Sequence, residues 1–136
     1  MKIQHLDKQV SVSEQIEPEV FGDLAESGVE VLVCNRPEDE CTAPSYEAMQ
    51  AAADNAGLEF VSIPFARGQM TRQHCDQFAE LLASGKRIHA FCRTGNRSCN
   101  LWAGARCLQG VDSSEVITGA RGAGFDVSGV VVAFAD

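Results

Sequence analysis

Long apolar runs are missing from this chain of 136 residues, and no stretch approaches the ~20 that a membrane-spanning helix needs. The opening segment, Met1-Lys2-Ile3-Gln4-His5-Leu6-Asp7-Lys8, has no apolar centre of the kind that marks a secretory leader. Positive charge is scarce too. Eleven Lys and Arg stand against 19 Asp and Glu, the formal net charge is −8, and no Lys/Arg-rich run occurs. That balance argues against nucleic acid and against an anionic membrane as partners. A local positive site in such a chain suits a small anion better than a large polyanion. Cys/His pairs at metal-ligand spacing are also lacking, since His74 and Cys75 are adjacent rather than spaced, so neither a metal nor another cofactor is expected. The six cysteines (34, 41, 75, 92, 99 and 107) do not follow a disulfide framework. The expectation is a cytoplasmic protein with reduced thiols. No repeat, linker or low-complexity tract interrupts the chain, and nothing in it speaks to oligomeric state.

What is present fits one domain over 1–136. A chain of about 150 residues buries roughly two-thirds of its surface on folding, enough for a core without staples. Val10–Ser13 alternates as a short strand. Pro18 then opens a helix with Val20, Phe21, Leu24 and Ala25 on its apolar stripe, ended by Ser27-Gly28. Val29–Cys34 is almost wholly apolar and reads as a central strand. Pro44–Ala56 reads as a helix closed by Gly57, and Leu58–Phe65 as a strand. Thr71 caps a helix carrying Cys75, Phe78, Ala79, Leu81 and Leu82. After Gly110 a helix runs through Glu115, Val116 and Ile117 until Arg121–Gly124 breaks it. Val127–Phe134 is apolar but short, and periodicity leaves it either strand or helix. The alternation predicts an α/β fold: a mainly parallel sheet of four to five strands with helices on both faces.

One stretch carries the chemistry. Arg87–Phe91 reads as a strand, Cys92–Ser98 as a polar loop, and Cys99–Leu108 has apolar residues at helical spacing. A loop that opens a helix gathers backbone N–H groups into a small space, and the helix dipole adds positive potential there. Arg97 supplies a planar fork that matches an oxyanion. Cys92 stands at the loop entrance, where such a field favours thiolate. The pattern points to a cysteine nucleophile above an anion cradle.

This stretch, with Val12-Ser13-Glu14-Gln15-Ile16, Asn35-Arg36-Pro37, Ile63-Pro64, Leu101-Trp102 and Gly124-Phe125-Asp126 in order around it, resembles the cysteine-dependent phosphatase superfamily of the small dual-specificity type. It is most similar to the bacterial phosphatase-like domain of beta-lactamase-hydrolase-like proteins. The resemblance implies the dual-specificity-phosphatase fold and a catalytic Cys92 and Arg97. Three departures stand out. Four residues (Arg93, Thr94, Gly95 and Asn96) separate Cys92 from Arg97 where phosphatases have five, a spacing similar to that of rhodaneses. The loop Phe65-Ala66-Arg67-Gly68-Gln69 has no carboxylate where dual-specificity phosphatases carry an Asp, and lack of a general acid costs typically about 10²–10⁴ in rate. Phe91, not His, precedes the cysteine, and His89 lies two positions back on the same strand face, as a structural residue.

These departures set the functional expectation. A sulfurtransferase comes first, with sulfur from thiosulfate or a persulfide carried as a Cys92 persulfide. The alternative is a protein-tyrosine or dual-specificity-like phosphatase that hydrolyses phosphate monoesters through a phosphocysteine, with Glu38, Asp39 or Glu40 as acid. A further alternative is a non-catalytic anion-binding or sulfide-sensing module. Arg97 and the loop amides hold the oxyanion. Ser98 donates to the thiolate, as the resemblance implies, or caps the helix, and the two roles are compatible. Thr94, Gly95 and Asn96 shape the cradle, Gly95 through a positive φ or close ligand approach. Arg93 and Arg67 attract the small anionic substrate, although Arg93 reads equally well as solvent-facing. Arg36 either borders the pocket or pairs with Asp39 or Glu40. Cys34 is either a resolving thiol for Cys92 or a small core residue.

Overall fold

The computed structural model describes residues 2–135; Met1 of the opening segment and Asp136 lie outside the described residues. Strands β1 (Gln4–His5), β2 (Val10–Ser13), β3 (Val31–Cys34), β4 (Glu59–Ser62) and β5 (Ile88–Phe91) form one sheet in the order β1-β2-β5-β3-β4. Only the β1–β2 pair is antiparallel. The other neighbours run parallel, with Val10 and Val31 both opposite Ile88. The α/β expectation therefore holds, in its five-stranded form. β1 went unread because two residues carry no period.

Helices cover both faces. Val10, Val12, Val31, Val33, Ile88 and Ala90 pack towards α3 (Arg72–Ala83), α4 (Asn96–Leu108), α5 (Ser113–Gly122) and α6 (Ser128–Phe134). Leu32, Cys34 and Phe91 face α1 (Phe21–Glu26) and α2 (Tyr46–Ala56). With helices on both sides, β3 and β5 are buried at every position, which is why they read as continuous apolar runs. The last apolar segment is helical from Ser128, and Val131 is its buried residue against the α4 layer.

Local chemistry sets the helix ends. Ser45 Oγ accepts the Ala48 N–H at 3.1 Å to start α2, and Gly57 ends it at φ 77°. Thr71 caps α3 as expected, and His74 completes a reciprocal box by accepting the Thr71 N–H through Nδ1 at 2.9 Å. α3 and α4 approach so closely at Gly104 that a Cβ there would lie 2.5 Å from Cys75 Sγ.

Two polar groups are built into this frame. Asp7 Oδ1 accepts the N–H groups of Gln9 and Val10, both at 2.8 Å. Its Oδ2 accepts from Trp102 Nε1 at 2.8 Å and from Arg106 Nη2 at 2.8 Å, tying the start of β2 to α4. His89 is fully buried in β5. Its Nδ1 lies 2.7 Å from Ser11 Oγ and its Nε2 2.8 Å from Ser13 Oγ. The face it shares with Phe91 is the one expected. Burial pushes its pKa down to about 4, with a smaller contribution from His5.

Asp7→Ala is expected to lower the unfolding free energy by roughly 2–3 kcal/mol, because Trp102 and Arg106 lose a charged acceptor. Urea unfolding reads this, and a loss within about 0.5 kcal/mol, the usual surface range, would contradict it. For His89 the unfolded chain binds the proton more tightly than the folded one. Stability is therefore complete above the ordinary histidine pKa of 6.5 and declines as pH falls from there towards about 4. The loss is of order 3 kcal/mol. His89→Gln should flatten that part of the stability–pH curve, and an unchanged slope would refute it.

Candidate active site

Three parallel strands end together. Ser13 closes β2, Cys34 closes β3 and Phe91 closes β5, so Asn35 and Cys92 emerge side by side on the carboxyl edge of the sheet, where parallel α/β folds place their ligands. The Asn35 N–H donates to Phe91 O at 3.0 Å, and the Cys92 N–H to Ser13 O at 3.4 Å. The strand pairing thus continues one residue past each strand and fixes the base of the loop.

The chain then turns through Arg93 and Thr94 into α4. Gly95 sits at the helix N-cap with φ 93° and no side-chain cap. Its N–H donates to Cys92 Sγ at 3.1 Å. A side chain at 95 is strained by the positive φ, and a Cβ would press on the Phe125 ring at 3.2 Å. Cys92 is fully buried beneath this loop.

Arg97 leans across the mouth. Its Nη2 donates to Glu40 Oε1 at 2.9 Å and its Nη1 to Glu40 Oε2 at 3.1 Å, a fork-on-carboxylate pair, while Nη1 also reaches Phe65 O at 3.1 Å. Hydrogen bonding from Arg97 holds the Glu40 carboxyl below the usual carboxylate range, and the same bond makes Arg97 a still weaker acid. Behind Glu40, Arg36 donates from Nη2 to the Glu40 backbone oxygen at 2.8 Å, from Nε to Oε1 at 3.4 Å and from Nη1 to Gln15 Oε1 at 2.7 Å. Tyr46 OH donates to Arg36 O and accepts from Ser62 Oγ at 2.9 Å.

Glu40, Arg67, Arg93, Thr94, Asn96 and Arg97 line a cleft of ≈ 550 Å³ over this loop. Five of the residues read from sequence as site residues thus meet in one concavity, and Arg67 and Arg93 are exposed in it. At two positions the structure takes one of the two placements that the sequence allowed. Arg36 does not line the cleft; of its two expected placements the structure takes the pairing with Glu40, which occupies its guanidinium. Cys34 is turned into the α1–α2 core, its sulfur donates to Arg36 O at 3.7 Å, and its neighbouring thiol is Cys41. Burial pushes the Cys34 thiol up to about 12, which removes the thiolate a resolving cysteine needs.

Ser98 takes neither expected role: it is fully buried and its Oγ donates to Asn35 Oδ1 at 2.7 Å, not to the Cys92 sulfur or to the helix start, because Asn35 at the β3 exit is the acceptor it faces, while Asn35 Nδ2 donates to Ile63 O at 2.9 Å. Asn35 therefore bolts the α4 start to the exits of β3 and β4. Its signal was a lone polar residue ending an apolar strand. Glu40, one of three acids offered as a proton donor, is the one that lines the cleft; its neighbours in sequence could not distinguish it.

The phosphatase-like domain of beta-lactamase hydrolase-like proteins has a family model that matches residues 2–109. A curated beta-lactamase hydrolase-like protein of Xylella fastidiosa (strain Temecula1) is 27% identical over 134 residues, 96% of this chain and 31% of that protein. The chain thus spans about a third of the curated relative it matches. A candidate phosphatase from Neisseria meningitidis Z2491 is 26% identical with TM-score 0.81, covering 98% of this chain and 96% of its own. A candidate phosphatase from Shewanella putrefaciens CN-32 has TM-score 0.75 at 17% identity, covering 98% and 93%, and shows the fold alone. These likenesses do not support the first expectation, sulfur transfer; they favour the phosphatase alternative, because the loop length that suggested rhodaneses sits within a phosphatase-like fold. By the match over residues 2–109, the chain belongs to the family of the phosphatase-like domain of beta-lactamase hydrolase-like proteins.

Proposed function

We propose that this domain is a phosphatase that moves a terminal phosphoryl group to water through a phosphocysteine on Cys92. The observation that carries the reading is the Gly95 N–H aimed at Cys92 Sγ at 3.1 Å, on a loop whose next cation is Arg97. That amide points the loop's donors at the sulfur, and the opening turn of α4 favours the equatorial oxygens of the transferring group.

Cys92 thiolate attacks phosphorus, the P–S bond forms, and the bond to the leaving oxygen breaks. Arg97 and the loop amides hold the charge that spreads over the phosphoryl oxygens. In the second step water attacks the phosphocysteine, the P–S bond breaks, and thiolate returns. Glu40 is suited to accept the water proton, since Arg97 keeps it ionised. Ser98 positions α4 through Asn35. The four-residue spacing between Cys92 and Arg97 favours sulfur transfer as a second reading.

With p-nitrophenyl phosphate, Cys92→Ser should abolish phosphate release. Arg97→Lys should lower kcat by at least about 10²-fold, the scale seen when one oxyanion donor is lost. The competing outcome is cyanide-dependent thiocyanate formation from thiosulfate that needs Cys92, with no phosphate released from the ester. That result would replace the phosphatase reading by sulfur transfer.

A further inference from the structure

The lining of the cleft narrows the substrate class. Glu40, Arg67, Arg93, Thr94, Asn96 and Arg97 are all polar or charged, and no aromatic or aliphatic side chain is among them. An aryl leaving group finds no aromatic ring or aliphatic side chain to pack on there. At ≈ 550 Å³ the cleft falls within the ≈ 300–1,000 Å³ range of small-molecule pockets, with room beyond one phosphoryl group.

The charges point the same way. Among the described residues Glu40 is the only carboxylate lining the cleft, and Arg97 grips both its oxygens. Arg36 grips it again from behind. A carboxylate held this way does not donate a proton, and the loop after β4 (65–69) offers no other. Where an acid would stand, the cleft carries Arg67, with Arg93 beside it on the lining. Both are exposed, and neither forms an ion pair among the described residues. Cations in that place neutralise a leaving group instead of protonating it.

We propose that the leaving group is itself a phosphate, so that the substrate is a small molecule ending in a phosphoanhydride, with Arg67 and Arg93 holding the inner phosphate. This rests on the phosphatase reading above. Cys92 thiolate forms a P–S bond to the outer phosphorus. The P–O bond of the bridge breaks, and its electron pair leaves on the inner phosphate. A phosphate monoester has its second pKa at about 6, so an inner phosphate that carries the rest of the small molecule on an ester bond departs as an anion without a donated proton. Water then cleaves the P–S bond, gives its proton to Glu40 and releases orthophosphate. The sum is one anhydride plus one water going to two phosphates.

The test compares inorganic pyrophosphate, p-nitrophenyl phosphate and glycerol 2-phosphate with the intact chain, Cys92→Ser as blank. The kcat/KM for pyrophosphate should exceed that for glycerol 2-phosphate by at least about 10²-fold, the lower end of what general-acid catalysis supplies. Arg67→Ala with Arg93→Ala should lower pyrophosphate turnover by about 10²-fold, roughly tenfold for each lost charged contact, and by clearly more than p-nitrophenyl phosphate turnover. Arg67→Lys should keep most of the pyrophosphate activity. Calorimetry on Cys92→Ser adds a reading independent of turnover: pyrophosphate should bind at least about tenfold tighter than orthophosphate, and the double Ala change should erase the difference. Cys92-dependent hydrolysis of glycerol 2-phosphate as fast as that of pyrophosphate would overturn the anhydride proposal and leave the phosphatase reading standing. So would an unchanged substrate preference in the double variant. No Cys92-dependent phosphate release from any of the three would overturn the phosphatase reading itself.

Discussion

Arg97 gathers three separate parts of the chain around one guanidinium. It rises from the first turn of α4, meets both oxygens of Glu40 from the turn after β3, and donates to the Phe65 carbonyl beyond β4. Its side chain is 11% exposed and that of Glu40 32%, so the pair is partly shielded from water and from salt. A pair in that setting is geometrically exacting, and loss of Glu40 leaves the Arg97 charge without its carboxylate. Arg36, Gln15 and Tyr46 extend the same scaffold outward. The cleft keeps its shape because its wall is an ion-pair network.

That network also explains how a chain of net charge −8 presents a positive cleft. At physiological salt, exposed charges more than about 8 Å away are largely screened, so the surface acids have little influence on the loop. Close to the sulfur, the Glu40 charge is spent on Arg36 and Arg97, and Arg67 and Arg93 set the sign at the rim. A small anion is favoured there while extended polyanions meet a negative surface. Among the described residues no helix is long and apolar enough to cross a membrane.

Beneath the loop, polar groups replace apolar packing in one place. His89 bridges Ser11 and Ser13, and the Ser13 carbonyl receives the Cys92 N–H. The site therefore rests on a hydrogen-bonded sheet layer as well as on hydrophobic contacts. Above it, Phe125 from the segment between α5 and α6 packs near Gly95, outside the stretch the family model matches. The chain closes over its own nucleophile loop from both ends.

Much of this was legible in residue order. Alternation of apolar runs with capped helical stripes specifies a parallel sheet, because each crossover must bury a face. Cys92, Gly95 and Arg97 form a local motif whose chemistry depends on neighbours in sequence. The edge strand Gln4–His5 was too short for a period, and Val127–Phe134 too short to separate helix from strand. Site contacts that cross the chain were beyond local reading. Nothing in Glu38-Asp39-Glu40 says which carboxylate meets Arg97, 57 residues away, and nothing in Ser98 names Asn35 as its acceptor. Cys34 and Cys92 end adjacent strands, yet the pleat turns Cys34 into the α1–α2 core, where burial suppresses its thiolate. The sequence by itself determined the fold and the nucleophile loop, since backbone period and loop conformation are local. Only tertiary structure decided which charges meet, because pairing over long separations depends on where the sheet order brings the strand ends.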